Sequence, residues 1–188
     1  MGLLTGLAVL APPAVEALDT VYVTRHAQKD RTWSGAGDLR PLSPKGARCA
    51  AALAERLADA EVSVVVSSET ARTLSTAGAV ARGTSATVVG DDRSIAPSAA
   101  WGESLRATYA DDRAILLVGH SDTVDDLVLA LRPGAVECFE TLGLASPEIP
   151  ETQFGDLWRI DLGTPEGARG CGIVRQRIEA AQDDCSTP

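Results

Sequence analysis

Basic charge, histidine and long apolar runs are all scarce in this sequence. Its 188 residues hold 17 Lys and Arg against 26 Asp and Glu, a formal net charge of −9. Phosphate backbones are held by clustered cations, so nucleic acid is excluded as an expected partner. An anionic membrane surface is disfavoured on the same ground. No apolar run reaches the roughly 20 residues that cross a bilayer, so no membrane insertion is expected. Repeats, low-complexity linkers and CxxC pairs are also missing. With only two histidines to assist the cysteines, a zinc site is excluded and no metal or other cofactor is expected.

What remains is a chain with 45% hydrophobic residues, enough for one sizeable core. Residues 18–188 read as a single domain. Residues 1–17 read as a signal-peptide remnant or an N-terminal arm: Leu3 to Ala11 is apolar and a small-residue site surrounds Val15 to Ala17, although no Lys or Arg precedes Arg25. The even number of cysteines, Cys49, Cys138, Cys171 and Cys185, supports disulfides and a periplasmic or secreted location, with a cytoplasmic chain bearing four buried thiols as the alternative. Of the three pairings, a Cys171–Cys185 bridge would tether the polar C-terminal tail through a short loop, contributing about 3 kcal/mol.

Short apolar runs alternate with helical periodicity, which predicts an α/β fold: a three-layer αβα sandwich with a mostly parallel central sheet. The runs are Val21 to Thr24, Val62 to Ser67, Thr87 to Val89 and Ile115 to Val118. Ser43 and Pro44 open a helix expected to end near Ala60, with Cys49, Leu53 and Leu57 on one face. A second helix is expected to bury Leu74, Ala77, Val80 and Ala81. A third, capped by Ser121 or Asp122, buries Val124, Leu127, Val128 and Leu131 and stops at Pro133 and Gly134. Residues 133–153 read as loop with a short strand near Cys138. Trp158, Ile160 and Leu162 alternate with polar residues as in a half-buried strand. With Ile173 to Ile178 they predict an antiparallel C-terminal hairpin at the sheet edge.

The two histidines, His26 and His120, each follow a predicted strand directly, in VYVTRH and ILLVGH. Parallel strands carry such residues to one edge, where open α/β sheets bind ligands. Arg25 precedes His26, and Arg72 lies one short turn beyond VVVSS. Guanidinium forks match phosphate oxygens, so two Arg and two His near helix N-termini describe a dianion site.

The segments VTRHAQK (23–29), LSPKGARCAAALAERL (42–57), SSETARTLSTA (67–77) and VGHSDTV (118–124) stand in an order and spacing that resemble the histidine phosphatase superfamily, the phosphoglycerate-mutase-like group, over roughly residues 20–132. The resemblance implies that His26 accepts the phosphoryl group while Arg25, Arg72 and His120 hold it, without a metal. The expected function is that of a short phosphatase: hydrolysis of a small phosphorylated substrate, a phosphate monoester or phosphohistidine, through a phosphohistidine on His26. Phosphoryl transfer as in a mutase, or a non-catalytic phospho-ligand module, are the alternatives.

Three positions depart from the pattern. The Glu that donates a proton in the mutase branch has no counterpart in VVGDDRSIAPSAAWGESL, which leaves Asp122 as first candidate for the general acid and Glu69 as second. Thr32 stands where some members have Asn. Lys29 replaces a small residue and is a candidate phosphate-binding cation. Substrate specificity is expected from residues 90–103 and 133–153, read as loops, where Trp101 either lines the pocket or packs in the core.

Overall fold

The computed structural model describes residues 18–144, 149–164, 169–180 and 183–188. Residues 1–17, and with them the expected signal remnant or arm, lie outside the described residues. Six strands form one sheet: β1 (Thr20–Arg25), β2 (Val62–Ser67), β3 (Thr87–Gly90), β4 (Ala114–Gly119), β5 (Asp156–Asp161) and β6 (Ile173–Arg177), in the order β3-β2-β4-β1-β5-β6. The first four run parallel. β5 is antiparallel to β1 and β6 to β5, which makes the hairpin at the edge.

Alternation along β4 explains the three layers. Ile115 and Leu117 face the core built with α3 (Ala99–Thr108), α4 (Val124–Leu131) and α5 (Phe139–Leu142). Ala114, Leu116 and Val118 face the opposite core, with α1 (Pro44–Arg56) and α2 (Ala71–Thr84). A strand covered on both sides must be apolar on both, hence the continuous run.

Several local expectations are corrected. α1 ends at Arg56, four residues before Ala60, and the chain then closes in turns. On α2, Leu74 is 38% exposed and Ala81 half-buried, whereas Thr73 and Thr76 are fully buried with Ala77 and Val80. The helix thus turns polar side chains inward, where they bond the site. α4 starts after Thr123 rather than Ser121 or Asp122, because Thr123 Oγ1 accepts from the His120 amide (2.8 Å) and holds residues 120–123 as a separate turn. The stretch read as loop at 90–103 contains the start of α3, capped by Ser98, and Trp101 is a core residue whose Nε1–H donates to Asp91. Near Cys138 there is no strand among the described residues: a 3₁₀ turn (Pro133–Cys138) leads into α5. β5 keeps the expected alternation, with Trp158 and Ile160 at 0% exposure and Arg159 and Asp161 half-buried, and Leu157 is buried as well.

The cysteines pair as Cys49–Cys185 and Cys138–Cys171, with Cα separations of 5.7 and 6.4 Å. The Cys171–Cys185 bridge is therefore overturned. Cys49, on the inner face of α1, is instead the residue that receives the C-terminal segment.

Candidate active site

Gly119 is the register partner of Arg25 in the parallel pair β1 and β4, and the His26 amide donates to Gly119 O at 2.9 Å. Equal strand lengths beyond that register bring the two histidines together: their ring centroids lie 5.3 Å apart, edge to face. His26 Nδ1–H donates to Ala27 O (2.7 Å), which leaves Nε2 as the nitrogen with a lone pair. Backbone position is set in turn by α2, since the Ala27 amide donates to Thr76 Oγ1 at 3.1 Å.

His120 is held as the other tautomer. A guanidinium can only donate, so Arg72 Nη2, 3.3 Å away, donates to His120 Nδ1. His120 Nε2–H then donates to Ser68 Oγ at 2.8 Å. Ser68, at the end of the SSET segment, is a site residue that the strand-end argument passed over; its signal was its place in that motif. Arg72 also donates from Nη1 to Gly37 O (3.1 Å), fastening the loop after β1 to the site.

Arg25 is 5% exposed. Its Nη1 donates to the carbonyls of Pro150 (3.2 Å), Glu151 (2.9 Å) and Gln153 (2.9 Å), and its guanidinium lies 4.0 Å from the centroid of the Phe154 ring. It therefore clamps residues 150–154 over the pocket, while its Nε is buried without a hydrogen-bond partner. Phe154 closes the other side of His26, with centroids 6.2 Å apart. Nothing in the pattern of 133–153 signalled these contacts, because they are made largely by backbone carbonyls.

The remaining candidates divide. Asp122 is exposed and exerts a field on Arg25, Arg72 and His120, so it stands at the rim of the cluster. Lys29 feels the charges of Arg25, Arg72 and Arg40 and lies beside the site. Glu151, which sequence reasoning did not single out, faces Arg25 and Lys29. Glu69 lies elsewhere: its amide donates to Asp92 and its carboxylate sits against Gly90 at the end of β3. Thr32 donates to Asp30 in an exposed turn and takes no part.

Electrostatics follow from burial. Burial first, then the neighbouring Arg25 and His120, pushes the His26 imidazole well below its ordinary value. Burial and Arg72 lower His120 to about 4, and burial lowers even Arg25 to about 10. Both imidazoles are neutral at neutral pH, as a nucleophile requires. The unfolded histidines take up protons near 6.5 but the folded ones do not, so this contribution to stability is complete above about pH 6.5 and is lost as pH falls. Asp125, 2% exposed in α4, acts with the opposite sign: burial raises its carboxyl to about 6, so it favours the fold more as pH drops through that value. Because only two histidines exist, proton NMR of the imidazole Cε1–H reads them directly. Neither should titrate between about pH 8 and 5 in the free protein; a midpoint near 6.5 for His26 would contradict its burial among cations.

The family model described as histidine phosphatase superfamily, branch 1, matches residues 21–94, which contain Arg25, His26 and Arg72. Among solved structures, SixA of Nakamurella multipartitia, designated a phosphohistidine phosphatase, superposes with a TM-score of 0.60 at 26% identity, covering 86% of this chain and 95% of its own. Over residues 21–94 the chain resembles the histidine phosphatase superfamily. SixA of Agrobacterium tumefaciens, given the same designation, agrees equally well, with a TM-score of 0.60 at 25% identity over 76% of this chain and 91% of its own. The mycobacterial glucosyl-3-phosphoglycerate phosphatase, solved with inorganic phosphate, shares the histidine phosphatase fold at 20% identity and a TM-score of 0.56, over 88% and 99% of the two chains. No curated protein matches the sequence. The α/β architecture, with helices on both faces and an antiparallel edge, is that of SixA.

Proposed function

We propose that the protein is a metal-independent phosphatase that hydrolyses a phosphate monoester or a phosphohistidine through a phosphohistidine formed on His26. One observation carries the reading: a neutral His26 with its Nε2 unbonded stands 5.3 Å from His120, among the guanidinium groups of Arg25 and Arg72. In the first step the Nε2 lone pair attacks phosphorus, the P–N bond forms and the ester P–O bond breaks. Asp122 gives its proton to the leaving oxygen. Water then attacks the phosphohistidine, a proton returns to Asp122, and breaking the P–N bond releases phosphate and restores His26. Splitting one displacement into two lowers each barrier. Arg25 and Arg72 neutralise charge on the equatorial oxygens, the task that Mg²⁺ performs elsewhere, and neutral His120 offers its Nε2–H as a hydrogen-bond donor. Exposed Asp122 and Glu151 at the rim admit water, which favours hydrolysis over retention of the phosphoryl group by a mutase.

Hydrolysis of p-nitrophenyl phosphate should persist in EDTA and be blocked by vanadate, which mimics five-coordinate phosphorus. Asp122→Asn should slow alkyl phosphates, with their poor leaving groups, about a hundredfold while leaving the nitrophenyl ester nearly unaffected. Loss of activity in EDTA, restored by added metal, would overturn the mechanism. Equal slowing of both substrates would remove Asp122 as the acid.

A further inference from the structure

Beside the phosphate pocket lies a groove of about 610 Å³ that the phosphoryl chemistry leaves unused. Although the chain is strongly acidic, four cations line this groove: Lys29, Arg31, Arg40 and Lys45. Lys29 and Lys45 are the only lysines in the whole sequence. The groove adjoins the site: its wall includes Phe154, the ring against which Arg25 and His26 pack.

Its frame is built by backbone pairing. Lys29 bridges Leu42 in antiparallel fashion, the Asp30 amide donates to Pro41 O (2.9 Å) and the Ser43 amide to Gln28 O (2.9 Å). These bonds close the neck of the loop at 31–40 and set Arg31 and Arg40 at its two ends. Arg72 holds the loop from inside the catalytic cluster through Gly37 O. Lys45, on the first turn of α1, is engaged by Thr187 and Pro188. In contrast, Lys29, Arg31 and Arg40 make no side-chain hydrogen bond or ion pair among the described residues, and Arg40 Nε is buried without a partner. Two carboxylates share the wall. Asp30 and Glu151 offset two of the four cationic charges, so the side chains that line the groove remain positive on balance. Like charges gathered around a concave surface repel, and an anion that bridges them relieves the repulsion.

We propose that this groove is a second anion subsite, and that the substrate is a small phosphomonoester bearing a further acidic group, a carboxylate or a second phosphate, which Arg31 and Arg40 receive. The proposal rests on the phosphatase reading for the pocket in which the first phosphate sits. A molecule with two acidic groups would span both sites, the phosphoryl group at His26 and its second charge in the groove. The field of Lys29, Arg31 and Arg40 then aligns the ester for in-line attack, and a singly charged ester gains none of this.

Calorimetric binding of alkane-α,ω-diphosphonates of increasing chain length, each against its alkyl monophosphonate, tests the subsite without turnover. At the length that spans both sites, the diphosphonate should bind about tenfold tighter or better, the scale of one charge-assisted hydrogen bond. The Arg31→Gln/Arg40→Gln double variant should reduce that advantage to within about twofold while leaving monophosphonate affinity and p-nitrophenyl phosphate turnover unchanged. Equal affinities at every length, or an advantage that survives the double substitution, would overturn the proposal. A protein with the expected diphosphonate preference but no hydrolysis of p-nitrophenyl phosphate would retain the subsite and refute the phosphatase.

Discussion

Replacement of His26 by Gln is expected to abolish turnover, by more than about 10⁴-fold, because an amide offers no nucleophilic lone pair and the remaining cations can only polarise the phosphate. His26→Ala tests the same chemistry less cleanly. The imidazole is 2% exposed and packs against Phe154, so truncation opens a cavity in a buried wall. His120→Ala should retain formation of the phosphoenzyme at a rate about a hundred- to a thousandfold lower, since it removes one stabilising donor and not the acceptor. The measurement is rapid alkaline quench after exposure to labelled substrate, followed by peptide mapping, because phosphohistidine survives base and decays in acid. Label on the peptide that contains His26, absent in His26→Gln, is the expected result. Wild-type turnover by His26→Gln would end the assignment.

The second large effect concerns Cys49–Cys185. These residues are 136 apart in sequence, so the bridge restricts nearly the whole unfolded chain. The chain-entropy relation gives about 5 kcal/mol for a loop of that length, and about 4 for the 33-residue separation of Cys138–Cys171. A Cys49→Ala/Cys185→Ala variant should therefore melt roughly 10–20 °C lower than the wild type by scanning calorimetry. The loss should extend to the site. Gln28, two residues from His26, donates its amide to Cys185 O and Thr187 O at 2.8 and 2.9 Å, and Lys45 holds Thr187. Gly155 accepts the close approach of the same segment: its φ is +68°, and a Cβ there would meet Cys185 O at 2.8 Å. Freed from Cys49, residues 183–188 should show faster amide exchange than in the wild type. An unchanged melting temperature would show that the bridge adds nothing to the packing already present.

Gly46 shows how a motif residue was legible before its reason was. The SPKG segment marked a helix start, and Ser43 Oγ does accept from the Gly46 amide at 3.0 Å. Only the folded chain reveals that a Cβ at Gly46 would fall 2.1 Å from Gln28 O, so the helix N-terminus can press against the backbone beyond His26 only without a side chain. Thr76 is similar. It stood unremarked in the SSETARTLSTA segment, and the folded chain shows it accepting from the amide of Ala27, the residue after His26. In contrast, α3 had a readable signal in Ser98, which caps Trp101, but the surrounding Pro, Gly and Ser obscured it.

The sequence by itself determined the order of the motifs along the chain: apolar runs ending in RH and GH, a serine-proline helix start and an arginine shortly after the run VVVSS. Local periodicity and the rule that parallel strands share an edge suffice for that, because each depends on neighbours in the chain. Tertiary structure decided what depends on distant partners. It paired Cys49 with Cys185, brought the carbonyls of residues 150–153 onto Arg25, and excluded Glu69 from the cluster. It also gathered Lys29, Arg31, Arg40 and Lys45 around one groove. Backbone carbonyls have no residue-type signature, and cysteines and cations can each meet many alternatives. Which of them meet is set by packing the two helical layers on the sheet.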